Sequence, residues 1–486
     1  MFGFKIKPLL IINRLCYNGA VIFAKVRFIE RREINMNIVV VGDGKVGYTL
    51  TEQLSREGHD MVVIDNSTKA LSNSTNALDV IGIHGNGVSY QVQKEAGVDK
   101  ADLLIAATSA DEINMLCCMV AKKLGAKNTI ARVRNPEYAM QMVFLKEELG
   151  LSLVINPEQA AAAEISRILR FPSALKVDTF ARGRVELVEF KLRDGTPLDG
   201  LPLYALSKKY RFKILICAVQ RGADVYIPTG DFILRTGDKL TITATPKEIE
   251  GFFKAIGAFS QRVKDVMIIG GGRITFYLAL RLIESGIRVK IIEQDESKCM
   301  ELSDYLPKAM IIHGDGTDRE LLSEEGIASV DAFVTLTGMD EENIIISMYA
   351  AAQHVKKVIT KVSRTDFADM LSGSGLDTFI IPKSITATQI VRYVRAMQNS
   401  LGSNVETLYQ IVNGKVEALE FHARDKARCI GVPLKDLALV RELLIACIIR
   451  KGRIIVPGGD DSILAGDSVV VVTTNNGLDD LDDILA

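Results

Sequence analysis

The stretch VVVGDGKVG, Val39–Gly47, decides how this chain is to be read. An apolar run enters a turn of the form Gly-x-Gly-x-x-Gly, with Gly42, Gly44 and Gly47 in the three glycine places and Asp43, Lys45 and Val46 between them. Val46, Leu50 and Leu54 then recur at four-residue spacing, which predicts an amphipathic helix leaving the turn. Eighteen residues after Gly47, the apolar run MVVID ends in Asp65. Strand, glycine turn, helix, strand and terminal acid form a dinucleotide-binding arrangement, and each part has a physical reason. Gly42 allows a tight turn, Gly44 lets the backbone approach a pyrophosphate, and Gly47 lets the helix pack on the strand. The helix start offers free N–H groups and a partial positive charge to phosphates. Asp65 is expected to accept hydrogen bonds from ribose hydroxyls and to repel a 2′-phosphate, which favours NAD over NADP.

After Asp65, apolar runs and helical stretches keep alternating. DVIGI (Asp79–Ile83), DLLIAA (Asp102–Ala107), NTIARV (Asn128–Val133) and LSLVI (Leu151–Ile155) read as further strands, and Asp111–Leu124 reads as a helix. That alternation predicts a parallel, doubly wound sheet whose ligand sits beyond the carboxyl ends of the strands. One rim should then carry Gly42–Val46, Asp65, the HGNG turn (His84–Gly87), Thr108, Ser109 and Arg132. Asn86 and Gly87 are expected to face an adenine. Thr108 and Ser109 are read either as donors to phosphate or ribose oxygens or as a helix cap before Asp111. Arg132 is read as a phosphate partner, against a plain solvated strand end. His84, without a neighbouring nucleophile or paired acid, is read as structural.

From about Phe171 the pattern turns β-rich: RVELVEFKL (Arg184–Leu192), two strands around an Arg-Gly turn in KILICAVQRGADVYIP (Lys213–Pro228), and LRTGDKLTITAT (Leu234–Thr245). Then the plan recurs. DVMIIGGGRITFYLALRL (Asp265–Leu282) places Gly270 and Gly272 228 positions after Gly42 and Gly44, with Gly271, Arg273 and Ile274 completing the turn. Glu293 falls where Asp65 did, HGDG (His313–Gly316) answers HGNG, and VPGGD (Val456–Asp460) answers IPTGD (Ile227–Asp231). The chain is an internal duplication with copies of about 230 residues. Thr275 replaces the third glycine and is expected to push its helix off the strand, which leaves the second site open. Lys361 stands where the first copy has Arg132.

The expected fold class is therefore α/β. It comprises two Rossmann-like doubly wound parallel sheets, each followed by a small α+β module. The boundaries read 36–170 and 171–256 for the first copy, and 264–395 and 404–486 for the second. Composition agrees: 486 residues, 48% hydrophobic, 24% charged and a formal net charge of −1, which argues against a nucleic-acid binder. Seven scattered cysteines, Cys16, Cys117, Cys118, Cys217, Cys299, Cys429 and Cys447, form no zinc or disulfide pattern and suit a reducing cytoplasm. Residues 1–35 carry seven Lys/Arg against two acids, and no apolar run there reaches membrane-span length. They are read as a disordered extension or a mis-assigned start, with Met36 opening the first strand.

Two dinucleotide-binding units, each with a small β-rich companion, resemble the TrkA family of regulatory subunits of bacterial Trk potassium uptake systems, which joins two RCK (KTN) domains in tandem. The carriers are VVVGDGKVG with Asp65, the HGNG and HGDG turns, ATSADEIN (Ala107–Asn114) with TGMDEEN (Thr337–Asn343), and the paired IPTGD and VPGGD modules. The resemblance implies a cytoplasmic, non-enzymatic protein held at the inner membrane face by an integral-membrane potassium-translocating subunit. It implies NAD or NADH, and often ATP or ADP, at Gly42–Val46, Asp65, Thr108, Ser109 and Arg132, with Gly270–Ile274 and Glu293 as the second set. It also implies a homotetramer forming a ring of eight RCK units. The competing reading is an NAD-dependent oxidoreductase; no substrate domain or acid–base set accompanies the glycine turn in the sequence.

Overall fold

The computed structural model describes residues 35–486 apart from 172, 181–184, 211, 258–262, 365–366, 368–369, 372–374, 377, 401–404, 413–414, 476–477 and 479. The reading of the N-terminal extension concerns residues outside the described ones, Asn35 excepted.

The first parallel sheet contains β1 (Asn37–Val41), β2 (Asp60–Asp65), β3 (Ile81–His84), β4 (Leu103–Ala106), β5 (Asn128–Arg132) and β6 (Leu153–Ile155), in the order β3-β2-β1-β4-β5-β6. Helices α1 (Lys45–Arg56), α2 (Thr68–Ala77), α3 (Tyr90–Glu95), α4 (Asp111–Leu124) and α5 (Pro136–Glu148) make the crossovers. Strand order reverses between β1 and β4, so the Gly42 turn opens at the switch point, where the carboxyl ends leave a crevice. β4 is buried at every position, and β1 at all but its first residue, which is why both read as unbroken apolar runs.

Helix α6 (Pro157–Arg170) leads into an antiparallel sheet of β7 (Lys176–Phe180), β8 (Val185–Lys191), β9 (Leu215–Arg221), β10 (Asp224–Tyr226) and β11 (Lys239–Ala244). Helices α7 (Leu203–Lys209) and α8 (Pro246–Ala255) belong to the same module. The second copy repeats the parallel order with β12 (Asp265–Ile269), β13 (Arg288–Glu293), β14 (Met310–His313), β15 (Ala332–Thr335), β16 (Lys357–Lys361) and β17 (Phe379–Ile380). Its helices include α9 (Arg273–Glu284), α10 (Glu296–Tyr305), α11 (Arg319–Glu324) and α12 (Asp340–Ala352), and α13 (Pro382–Ser400) leads out. The last sheet holds β18 (Val405–Ile411), β19 (Val416–His422), β20 (Leu443–Arg450), β21 (Arg453–Ile455) and β22 (Ser468–Thr473). The fold class is the one read from the sequence. Strands β7 and β18 were not foreseen, because each is an edge strand whose partner, β8 or β19, supplies the pairing.

The two copies exchange helices. Ala161, Ala162, Ile165, Ile168 and Leu169 of α6 are buried with Val266, Ile268, Leu278 and Leu282 of the second parallel unit. Reciprocally, Ala387, Ile390, Val391 and Val394 of α13 are buried with Ile38, Val40, Leu50 and Leu54 of the first. Burying a side chain of the Val/Leu/Ile class is worth about 1.5–3 kcal/mol, so the three such residues on each exchanged helix approach the ~5–15 kcal/mol net stability of a whole domain. Neither copy has a complete core alone. The small sheets also pack on each other, with Leu187, Cys217 and Ala218 against Ala418, Cys447 and Val470.

Candidate functional site: the two glycine turns

The Gly42 turn is built by close contacts. Gly42 has φ +95°, its N–H donates to the Ile64 carbonyl at 2.8 Å, and a Cβ there would lie 2.9 Å from the backbone of Thr108. A Cβ on Gly47 would lie 1.8 Å from the Gly42 oxygen. These two glycines are required by backbone sterics. Around Gly44 a Cβ would meet nothing within 4 Å, so the turn faces open space there. Gly44 is also the N-cap of α1 and gives it no side-chain cap, whereas Ser67, Asn135 and Asn156 cap α2, α5 and α6. The first-turn amides of α1 therefore point at an opening without a protein acceptor on the cap, the arrangement in which helices hold anions.

Asp65 ends β2 behind this opening. Its carboxylate accepts the Asp43 N–H at 2.6 Å and the Ser67 N–H at 2.7 Å, which fixes it with lone pairs to spare for hydroxyl donors. Asp43 is buried, and Ser74 donates to it at 2.6 Å; burial raises its pKa, Ser74 opposes the rise, and the charge of Asp65 adds to it. In the second copy Glu293 reproduces the clamp, accepting from Gly271 at 2.5 Å and Asp295 at 2.9 Å.

Thr275 was expected to splay the second turn. Its hydroxyl instead donates to the Gly270 carbonyl at 2.5 Å, the group that a Cβ at Gly47 would strike in the first copy. The flanking backbone is the same in both: Gly270 has φ +96°, and Gly272 caps α9 at φ −76° where Gly44 has −74°. The clash is replaced by a hydrogen bond. Arg273 and Ile274 open α9 as Lys45 and Val46 open α1.

On the far side of the turn, Asn114 acts as a clamp the sequence reading did not assign. Its Oδ1 accepts from the Thr108 N–H at 2.8 Å and the Thr108 hydroxyl at 2.7 Å, and its Nδ2 donates to the Arg132 carbonyl at 2.9 Å. Asn343 repeats this around Thr337 and Lys361; recurrence at one offset was the available signal. Neither Thr108 nor Ser109 is the N-cap of α4, which is Ala110. Ser109 is exposed, and its carbonyl accepts from Arg134. Arg132 donates from Nη2 to the Thr108 carbonyl at 2.7 Å, while its buried Nε has no hydrogen-bond partner among the described residues. Burial, then the charge of Arg134, weakens its hold on the proton.

Gly87 packs inward: a Cβ there would lie 2.1 Å from Cγ1 of Val41. Asn86 accepts the Val88 N–H at 3.0 Å within its turn. His84 Nε2 meets the Asn66 carbonyl at 2.9 Å and His313 Nε2 the Gln294 carbonyl at 3.1 Å, a structural role in both copies.

A cavity of about 460 Å³ opens over the first turn, lined by Asp43, Gly44, Lys45, Tyr48, Thr49, Ala70, Asn73 and Lys383. Lys383 comes from α13 of the other copy, and nothing in the sequence placed it here. A second cavity, about 490 Å³ and mostly apolar, lies between the small modules, where Tyr204, Tyr210 and Phe252 meet Leu443 and Leu444; no predicted site residue lines it. No described helix is long and apolar enough to cross a membrane.

Comparison with known proteins agrees with this architecture. The TrkA-N domain model matches residues 38–157 and 266–382, and the TrkA-C domain model matches 187–257 and 419–486. The chain belongs to the TrkA family. A Trk system potassium uptake protein TrkA homolog of Archaeoglobus fulgidus is 33% identical over 92% of this chain and 100% of its own length. TrkA of Haemophilus influenzae is 30% identical over 90% of this chain and 95% of its own. The TrkA family is one of potassium uptake proteins, not of enzymes. Among solved structures, the GsuK RCK domain covers 90% of this chain and 92% of its own at TM-score 0.60 and 17% identity. The GsuK channel bound to NAD also superposes at 0.60, with 17% identity, over 90% of this chain and 77% of its own. That likeness gives the fold.

Proposed function

We propose that this TrkA-family chain is the nucleotide-sensing regulatory component of a potassium uptake system, with NAD or NADH as ligand at the Gly42 turn and ATP or ADP as alternatives there. The observation that carries this reading is the uncapped N-terminus of α1, which faces an open cavity beside Gly44 with the carboxylate of Asp65 held at the end of β2. The α1 amides and Lys45 suit a pyrophosphate, and Asp65 suits a ribose. Thr108, whose backbone lies against Gly42, together with Ser109, Arg132, Asn86 and Gly87, is assigned to the same ligand in this reading. Gly270–Ile274 and Glu293 form the second candidate site.

The protein works as a peripheral subunit on the cytoplasmic face of the membrane, bound to a separate potassium-translocating subunit and assembled as a homotetramer with eight RCK units in a ring. A nucleotide shifts the ring only so far as it binds two ring states with different affinity. The exchanged helices α6 and α13 supply a mechanical link, because a change at one turn moves a helix buried in the other copy's core.

Calorimetric titration of NADH into the full chain tests the site. Asp65→Ala should weaken binding by about tenfold, the worth of one charge-assisted hydrogen-bonding set. Unchanged affinity would remove Asp65 from the site. Deletion of the gene should lower cellular potassium uptake; normal uptake with loss of a metabolite conversion would favour a dehydrogenase.

A further inference from the structure

The two glycine turns are completed in trans by helices of opposite end charge. α6 and α13 both begin with proline, Pro157 and Pro382, followed by Glu158 in one and Lys383 in the other. Each helix start stands beside the other copy's turn. Asn156, the N-cap of α6, donates to the Tyr277 hydroxyl of α9 at 2.9 Å, one turn into the helix that follows Gly272. Correspondingly, Lys383 shares the first cavity with Tyr48 and Thr49, one turn into α1.

The first cavity thus receives two helix N-termini and two lysines, Lys45 and Lys383, around the open space at Gly44. At the second turn the corresponding position of α6 is Glu158, two residues beyond the Asn156 cap that meets Tyr277, and it feels the charge of Arg273. Burial raises the pKa of Glu158, while Arg134, Arg132 and Arg273 pull it back, so the carboxylate sits among cations of both copies; its Oε2 has no hydrogen-bond partner among the described residues. The first cavity sets Lys45 and Lys383 against one lining acid, Asp43. At the second turn an acid, Glu158, stands at the helix position that Lys383 holds at the first.

We propose that Lys383, supplied in trans by α13, is a phosphate-positioning residue that makes the first site selective for the more highly charged nucleotides, while Glu158 denies that selectivity to the second. This rests on the nucleotide-binding reading of the Gly42 turn. The chemistry recognised is a chain of phosphates long enough to reach from the α1 amides to the ammonium of Lys383, as in a nucleoside di- or triphosphate.

The test is calorimetric titration of the full chain with ATP, ADP and NADH in magnesium-free buffer, using wild type, Lys383→Glu, Lys383→Arg and Asp65→Ala. Lys383→Glu should weaken ATP by at least about tenfold and NADH by about threefold or less, since the added repulsion scales with ligand charge. Lys383→Arg should restore the wild-type ATP-to-NADH ratio. The ATP affinity of wild type should fall more steeply with salt than that of Lys383→Glu. A Lys383→Glu chain that melts as wild type yet keeps the wild-type ratio overturns the proposal, provided Asp65→Ala still weakens binding. Should Lys383→Glu fail to fold, Lys383→Gln carries the same comparison. If no nucleotide binds wild type, or Asp65→Ala changes nothing, the site reading itself falls, and the proposal with it.

Discussion

Arg395 of α13 grips Glu57, at the end of α1, through two hydrogen bonds of 3.0 and 3.1 Å across 338 residues of sequence. The same guanidinium reaches Glu417 of β19 at 3.5 Å, joining the first parallel unit, the exchanged helix and the last sheet. The first copy contains the counterpart: Arg170 of α6 meets Glu186 of β8 at 2.5 Å.

Removing one partner of such a partly buried pair leaves uncompensated charge. Arg395 is 19% exposed and Glu57 16%, so solvent offers limited relief. Arg395→Ala should cost about 3 kcal/mol, read as a lowered urea midpoint. A midpoint within error of wild type would mean that the pair contributes nothing to the exchange of helices.

The third glycine place separates the copies by stereochemistry. Gly47→Ala puts a methyl against the Gly42 carbonyl and should lose about 1–3 kcal/mol together with nucleotide affinity. Thr275→Val keeps the volume but removes the donor to the Gly270 carbonyl, and should lose about 1 kcal/mol. Equal thermal stability of Thr275→Val and wild type would show that the hydroxyl is dispensable.

His59 gives the fold an acid-sensitive point. It is buried; its Nδ1 accepts from the Met36 N–H at 3.4 Å and its Nε2 has no hydrogen-bond partner among the described residues. Burial lowers its pKa from 6.5; Arg395 also lowers it, against the acids Glu57, Asp60 and Asp102. Because the folded pKa lies below the unfolded one, this contribution to stability is complete above pH 6.5 and is lost as pH falls through the folded value. Melting curves from pH 8 to pH 5 should fall more steeply for wild type than for His59→Gln. Parallel curves would refute the assignment.

The exchanged helices make each copy dependent on the other. A chain of residues 36–257 lacks α13 over Leu50 and Leu54 and leaves the apolar face of α6 uncovered. It should self-associate, since a second identical copy offers the same two surfaces. Light scattering checks this; a stable monomer with a cooperative melt would refute it.

The sequence by itself determined a good deal. The apolar runs at Val39–Val41 and Asp265–Ile269, the glycine spacing and the acids Asp65 and Glu293 gave both parallel sheets, because backbone sterics and burial act locally and leave periodic traces. Recurrence at a fixed offset gave the duplication. It also marked Asn114 and Asn343, although their work as clamps emerged only from their hydrogen bonds. The edge strands β7 and β18 left no comparable trace, since an edge strand takes its form from one neighbour. Thr275 shows the limit of a steric argument made without partners: the added volume was legible, the acceptor at Gly270 was not. Tertiary structure alone decided which helix covers which sheet. An apolar stripe such as that of α6 or α13 specifies that it must be buried but not against what, because the hydrophobic effect has no direction. That choice brings Lys383 to the first glycine turn and Glu158 toward the second.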